Sequence, residues 1–262
     1  MKFKTIFTII FDIALAIYLV LAVTAFNKPK DTVKTCVGVN INIEDQDANG
    51  FIDKEEIKNR LEHSDIYPLA KPTQDVDTRK IEETLKSSPF VKTAECYRTL
   101  NGIVNINVTQ RMPIVRVKAD NGSDYYLDDN DCVMPNSHYT SDLIIATGNI
   151  SKTFATNYIS PLSKQIMGNE LWRNQIEQIN VLPDLSIEIV PRVGNHIICL
   201  GRMPEGKTQS ERTALICDFF NKKITRLEKF YKYGLSQAGW NKYSYINVEF
   251  DNQIICKKNK NI

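Results

Sequence analysis

Residues 45 to 56 read DQDANGFIDKEE, and their types and spacing are those of a calcium loop. Asp45, Asp47 and Asn49 place hard oxygens at the first, third and fifth positions. Gly50 permits the sharp turn, Ile52 fills the apolar position, Asp53 adds an oxygen, and Glu56 closes the loop with two more. The chemistry would be reversible capture of Ca²⁺. The surroundings argue against it. Such a loop needs an incoming helix, whereas Val37, Val39, Ile41 and Ile43 alternate with polar residues as a half-buried strand does. No second loop pairs with it. The same residues read as a polar strand-to-helix connection, with Asp53 and Glu56 spaced for a capping box. The three histidines, His63, His138 and His196, lie in separate segments, and no nucleophile, metal or phosphate-loop pattern surrounds them. His196 reads as a strand histidine with a structural hydrogen bond. The expectation is a protein that is not an enzyme, with no cofactor, metal or small-molecule substrate.

Charge narrows the partners. Thirty-three Lys and Arg against 31 Asp and Glu leave a net charge of +2, which speaks against nucleic acid. There is no Cys-x-x-Cys spacing, and six cysteines are too few for a disulfide scaffold of this length. Cys96, Cys199, Cys217 and Cys256 sit within apolar patterns. Cys36, at the start of the first strand, could reach Cys96, and that pair is the one disulfide the pattern suggests.

The elements that would position these residues begin with an apolar run, TIFTIIFDIALAIYLVLAVTAF, over residues 5–26. At helical rise it covers roughly 33 Å, enough for a bilayer core. A cleaved signal peptide is the other reading, but the run is about twice the usual length for one. The expected order is a cytoplasmic tail (1–5), a transmembrane helix (6–26) and a linker (27–35); Lys2 and Lys4 favour an inside N-terminus, Lys28, Lys30 and Lys34 weaken that bias, and the shortness of the tail supports it. Asp12 falls within the span. It either snorkels or is protonated, or it meets a partner helix.

A first domain follows over residues 36–112. Its pattern is strand, helix (51–62), helix from Asp77, and two strands (91–100 and 103–109) joined at Asn101-Gly102, a type I′ signal. Residues 113–258 read as a β-rich domain, with 259–262 as a tail. An acidic hairpin turn falls at 128–131, and a helix at 155–168 is limited by Pro161 or starts there. Strands fall near 174–182, 185–191 and 195–200. The longest helix of the body is 209–233, capped by Thr208 and Glu211 and ended by Gly234. Ile216, Phe219, Phe220, Ile224, Leu227, Phe230 and Tyr231 form its apolar face. Lys222, Arg226 and Lys229 form a solvated one. A hairpin from Tyr245 to Lys257, turning at Asp251-Asn252, closes the chain. The fold class is α+β.

The strand-helix-helix-strand-strand order, with Pro89-Phe90-Val91 and Gln110-Arg111-Met112-Pro113, resembles a POTRA domain. Leu171-Trp172, Pro191 to His196, Phe230 to Leu235, Gly239 to Tyr243, Ile246 to Phe250 and Gln253 to Cys256 together resemble the FtsQ/DivIB cell-division family, in particular its Bacteroidota members. The resemblance covers the whole chain. It implies a bitopic inner-membrane divisome scaffold with a periplasmic body at the septum and no enzymatic activity. It also implies FtsB- and FtsL-like partners, and a link to septal peptidoglycan synthesis. Other divisome proteins could meet the POTRA domain. In the family the partner adds a strand at the end of the β domain. Carried over, this makes Tyr245, Asn247, Glu249, Phe250, Asn252, Ile254 and Lys258 the candidate contacts, with Phe250 at an expected aromatic position. The family's second aromatic is absent here, where Cys256-Lys257-Lys258 stands. Proline at Ile254 or Ile255 would then remove a ladder donor. The competing function is a POTRA-containing assembly or export factor for outer-membrane proteins, although no barrel pattern accompanies it.

Overall fold

The structure is a computed structural model and describes residues 3–26, 34–44, 51–137 and 143–260. It begins with α1 (Phe3–Phe26), a single helix. The side chains described in it run from Phe7 to Val23, are almost all exposed, and join neither core. Among the described residues no helix is long and apolar enough to cross a membrane. The expected crossing over residues 6–26 is therefore not met within them.

The first domain holds β1 (Gly38–Glu44), α2 (Lys54–His63), α3 (Thr78–Lys86), β2 (Val91–Arg98) and β3 (Ile103–Gln110). The sheet order is β1-β3-β2, with β1 parallel and β2 antiparallel to β3. Both helices start where a carboxylate can take an orphan amide. Asp53 accepts from the Glu56 N–H at 2.7 Å, and Asp77 from that of Lys80 at 3.0 Å. Ile57, Leu61, Ile81 and Leu85 pack on Val104, Ile106 and Val108. Asp45, Asp47, Asn49 and Gly50 lie outside the described residues, as does His138. Among the described residues no cluster could hold a metal.

Two expectations fail here. The β2–β3 turn is not type I′, because Gly102 alone has positive φ. Its N–H donates to the Thr99 carbonyl at 3.2 Å, so a four-residue turn ends on a left-handed glycine, the longer hairpin solution. Nor do Cys36 and Cys96 form a disulfide. Both are free thiols. The Cys36 Sγ instead donates to the Gly38 carbonyl at 3.3 Å, and burial, with Glu82 nearby, pushes the Cys96 thiol up to about 12.

The second domain is built on a sheet of nine strands. They are β4 (Pro113–Ala119), β5 (Asp124–Asp128), β6 (Val133–Pro135), β7 (Ile144–Gly148), β8 (Ile176–Val181), β9 (Ser186–Pro191), β10 (Ile197–Arg202), β11 (Tyr243–Asn247) and β12 (Ile255–Lys258). Their order is β12-β11-β10-β9-β8-β7-β4-β5-β6. One face is covered by helices. The first of these is a continuous run of α4 (Lys152–Phe154), a π-helical turn (Ala155–Ile159) and α5 (Ser160–Gly168). The π turn stands directly before Pro161, whose ring would otherwise meet the carbonyl four residues back. The sequence gives no sign of α6 (Glu170–Gln175), which Asn169 caps through two amides at 3.1 Å.

The long helix α7 (Gln209–Phe230) does not stop at Gly234. It runs through a second π turn (Tyr231–Leu235) into α8 (Ser236–Ala238) and ends at Gly239, which has φ +92°. Gly234 has another role. A Cβ there would stand 3.0 Å from the Phe230 ring, so the missing side chain makes room for the aromatic.

The two domains are locked together. Phe51 of the first stacks on Phe90 and meets the Tyr126 ring edge-on at 5.3 Å, with Met134 buried beside them. Arg111, between β3 and β4, donates to Asp128 Oδ2 at 2.8 Å and to the Val91 carbonyl at 3.2 Å. Asp128 is fully buried, and its other oxygen accepts from the amides of Asn130 and Cys132.

Candidate partner-binding edge

Among the described residues the strand β12 is the outermost of the nine, paired with β11 on one side only. The Asn259 N–H donates to the Lys242 carbonyl. Amides alternate along a strand, so those of Ile255 and Lys257 turn toward β11 and those of Cys256 and Lys258 toward the open edge. Ile255, Lys257 and Lys258 are exposed, while Cys256 packs partly on the core.

The platform behind this edge is tied together by side chains. On the face away from the helices, polar side chains form a ladder across the strands. Gln178 donates to Thr147 Oγ1 at 2.8 Å, Thr147 to Asn180 Oδ1 at 3.1 Å, and Asn180 to Glu188 Oε2 at 3.0 Å. Tyr245 then donates to Glu188 Oε1 at 3.0 Å. Burial, with Cys199 and Glu188 alongside, pushes the Tyr245 hydroxyl well up, so it stays a donor.

The loop between β11 and β12 is gripped from α7. Lys223, only 6% exposed, donates to the carbonyls of Val248 and Glu249 at 3.0 and 2.7 Å. Arg226 donates to the carbonyls of Phe250 and Val248. The expectation of a solvated basic face therefore fails for Arg226, although Lys222 is exposed and pairs with Asp218 at 2.7 Å. Glu249 lies across Gly201, where φ is +85° and a Cβ would come within 2.5 Å of its side chain. A groove of about 510 Å³ runs between the helix and the loop, lined by Arg226, Lys229, Phe230, Tyr233 and Ile254.

The seven sequence candidates fall into three groups. Tyr245 and Asn247 are interior, in a strand flanked by β10 and β12. The first is spent on Glu188, and the second accepts from the Glu249 amide at 2.7 Å. Glu249, Phe250 and Asn252 belong to the gripped loop, where Asn252 turns with φ +62°. Ile254 precedes β12, packs partly on the core and lines the groove, so Lys258 alone of the seven stands on the edge strand. Sequence reasoning missed Lys223. Its signal was a lysine inside the buried arc formed by Phe220, Ile224 and Leu227.

His196 immediately precedes β10. It is 2% exposed, and its Nε2 lies 2.7 Å from the Tyr231 hydroxyl. That ring in turn meets Trp172 and Trp240 at 5.5 and 5.3 Å. Nδ1 has no well-formed partner, the Trp240 carbonyl being the polar group that faces it. Burial lowers the His196 pKa. The unfolded chain therefore takes up a proton first as pH falls through about 6.5, and stability drains from there down to the folded value. Between pH 7 and pH 5 the melting temperature should drop further in the parent chain than in His196→Gln, measured by thermal unfolding. Equal slopes would contradict this account.

Fold and edge together define a two-domain scaffold: a small α+β module locked to a β domain that ends in an open, buttressed strand. Residues 34–109 match the POTRA-like domain family, and residues 112–257 match the family described as FtsQ/DivIB, C-terminal related. The second match covers more than half of the chain, which belongs to the FtsQ/DivIB family. The family is one of non-enzymatic scaffolds, and its domains suggest a cell-division scaffold that works through protein–protein interaction. No curated protein matches the chain.

Proposed function

We propose that the protein captures FtsB- and FtsL-like divisome partners by β-strand addition at β12, linking septum assembly to peptidoglycan synthesis. It works as a single-pass inner-membrane protein with a cytoplasmic N-terminus and a periplasmic body at the septum. The first domain offers a second surface to other divisome proteins. The observation that carries the reading is the open edge itself: unopposed amides at Cys256 and Lys258 on a strand that the rest of the domain holds still. The anchor is supported by the apolar sequence of α1 and the exposure of its described side chains.

The alternation of amides sharpens the test. Proline at Ile255 would break the hairpin, because that amide faces β11. Proline at Lys258 removes only an outward donor. Lys258→Pro should lower partner retention by about tenfold, one backbone hydrogen bond, with an unchanged melting temperature. Ile255→Pro should lower both. Full retention by a folded Lys258→Pro variant would sink strand addition at this edge.

A further inference from the structure

Where α1 gives way to the body, the first domain presents an apolar tip. Leu100 is 88% exposed, Val37 68%, Leu69 48% and Ile103 37%. The backbone brings them to one end. The Val37 amide donates to the Gly102 carbonyl, and Cys36 exchanges hydrogen bonds with Ala70 and Lys71. Cations frame the aliphatics. Lys34 Nζ is fixed 2.9 Å from the Leu100 carbonyl, and Arg98 Nη1 lies 2.7 Å from that of Thr73. Lys71 is balanced by Asp65 at 3.6 Å, which leaves Lys34 and Arg98 as the cations tied to the tip through its backbone.

We infer that this tip is a docking surface for an anionic lipid bilayer, with Leu100, Val37 and Ile103 entering the interface and Lys34 and Arg98 meeting headgroups. The inference rests on the reading of α1 as an anchor in that bilayer. Eight peptide steps separate Phe26 from Lys34, at most about 29 Å of chain. An anchored helix therefore keeps the tip beside the lipid, where a weak surface suffices because its local concentration is high. Aliphatic side chains flanked by basic ones on a projecting turn have the chemistry for an interfacial contact. Docking there would fix the tilt of the locked two-domain body relative to the membrane.

The test offers the full chain to vesicles of phosphatidylcholine alone or with a third phosphatidylglycerol, and reads two quantities. Resistance to a carbonate wash reports the anchor. Hydrogen exchange at Leu100 and Asn101 reports the tip. Exchange there should slow by about tenfold on the anionic vesicles relative to the neutral ones. Val37→Glu with Leu100→Glu, or Lys34→Glu with Arg98→Glu, should abolish the slowing while exchange in β9 stays as it was. A wash-resistant chain with no slowing overturns the docking surface and leaves the anchor standing. Slowing in a chain that washes off keeps the surface and removes the anchor. A chain that does neither removes both.

Discussion

Replacing Arg111 by methionine should cost about 3 kcal/mol and loosen the two domains from each other. The methionine keeps much of the arginine's stem, so the loss is electrostatic rather than a packing defect. What it leaves is a fully buried carboxylate, Asp128, with two amides but no cation. Breaking a buried ion pair from one side costs roughly 3 to 5 kcal/mol. The low end applies because the Arg111 side chain is about a quarter exposed. The same change frees the Val91 carbonyl and the crossing from β3 to β4. Denaturant unfolding followed at the domains separately should show two transitions where the parent shows one. Asp128→Asn with Arg111→Met, which removes both charges, should recover part of the loss. A single transition with unchanged stability in Arg111→Met would show that the aromatic contacts of Phe51 hold the domains unaided.

Lys223→Met should have an effect of comparable size, and a local one. The buried ammonium serves the carbonyls of Val248 and Glu249, and methionine strands them. An unsatisfied buried polar group costs about 1 to 3 kcal/mol. Here Arg226 still reaches Val248, so about 2 to 3 kcal/mol is expected in total. Desolvation, then the neighbouring Arg226, already lowers the Lys223 pKa, which marks how far this charge stands from water. The damage should gather where the carbonyls are. Hydrogen exchange should quicken in β12 and the 248–254 loop while the strands β7 to β9 keep their protection. Partner retention should fall with it, although Lys223 is buried. Uniform quickening across the sheet would mean that the residue supports the core at large.

What the sequence disclosed and what it withheld divide along a physical line. Asp53, Asp77, Thr208 and their first-turn amides were legible because capping is local, and each cap is formed as expected. The apolar face of α7 was legible from its period. The end of that helix was not. Gly234 has the composition of a stop, but the glycine serves the Phe230 ring, and the true stop is five residues on. Asn101-Gly102 misled in the same way, because a dipeptide does not say how many residues the turn will enlist. The calcium-like spacing at 45–56 contributes, within its described part, a helix cap. At the candidate edge, a closing hairpin was readable, but its first strand runs Tyr243–Asn247 and not to Phe250, and residues 248–254 form a loop. Which residues face outward was not, since that depends on register against β11 and on a loop held by α7 from more than twenty residues away in sequence.

The two ends of the nine-stranded sheet are unequal. At one lies β12, four residues of which Cys256 and Lys258 turn their amides outward. At the other lies β6, three residues ending in Pro135, which has no amide to give. A second copy of the chain therefore finds poor purchase for stacking head to tail, and the sheet has a valence of one. A scaffold of this kind terminates a β-structure and does not propagate it. Its assemblies should grow by recruiting different chains, each counted once, and not by polymerising into a filament of itself.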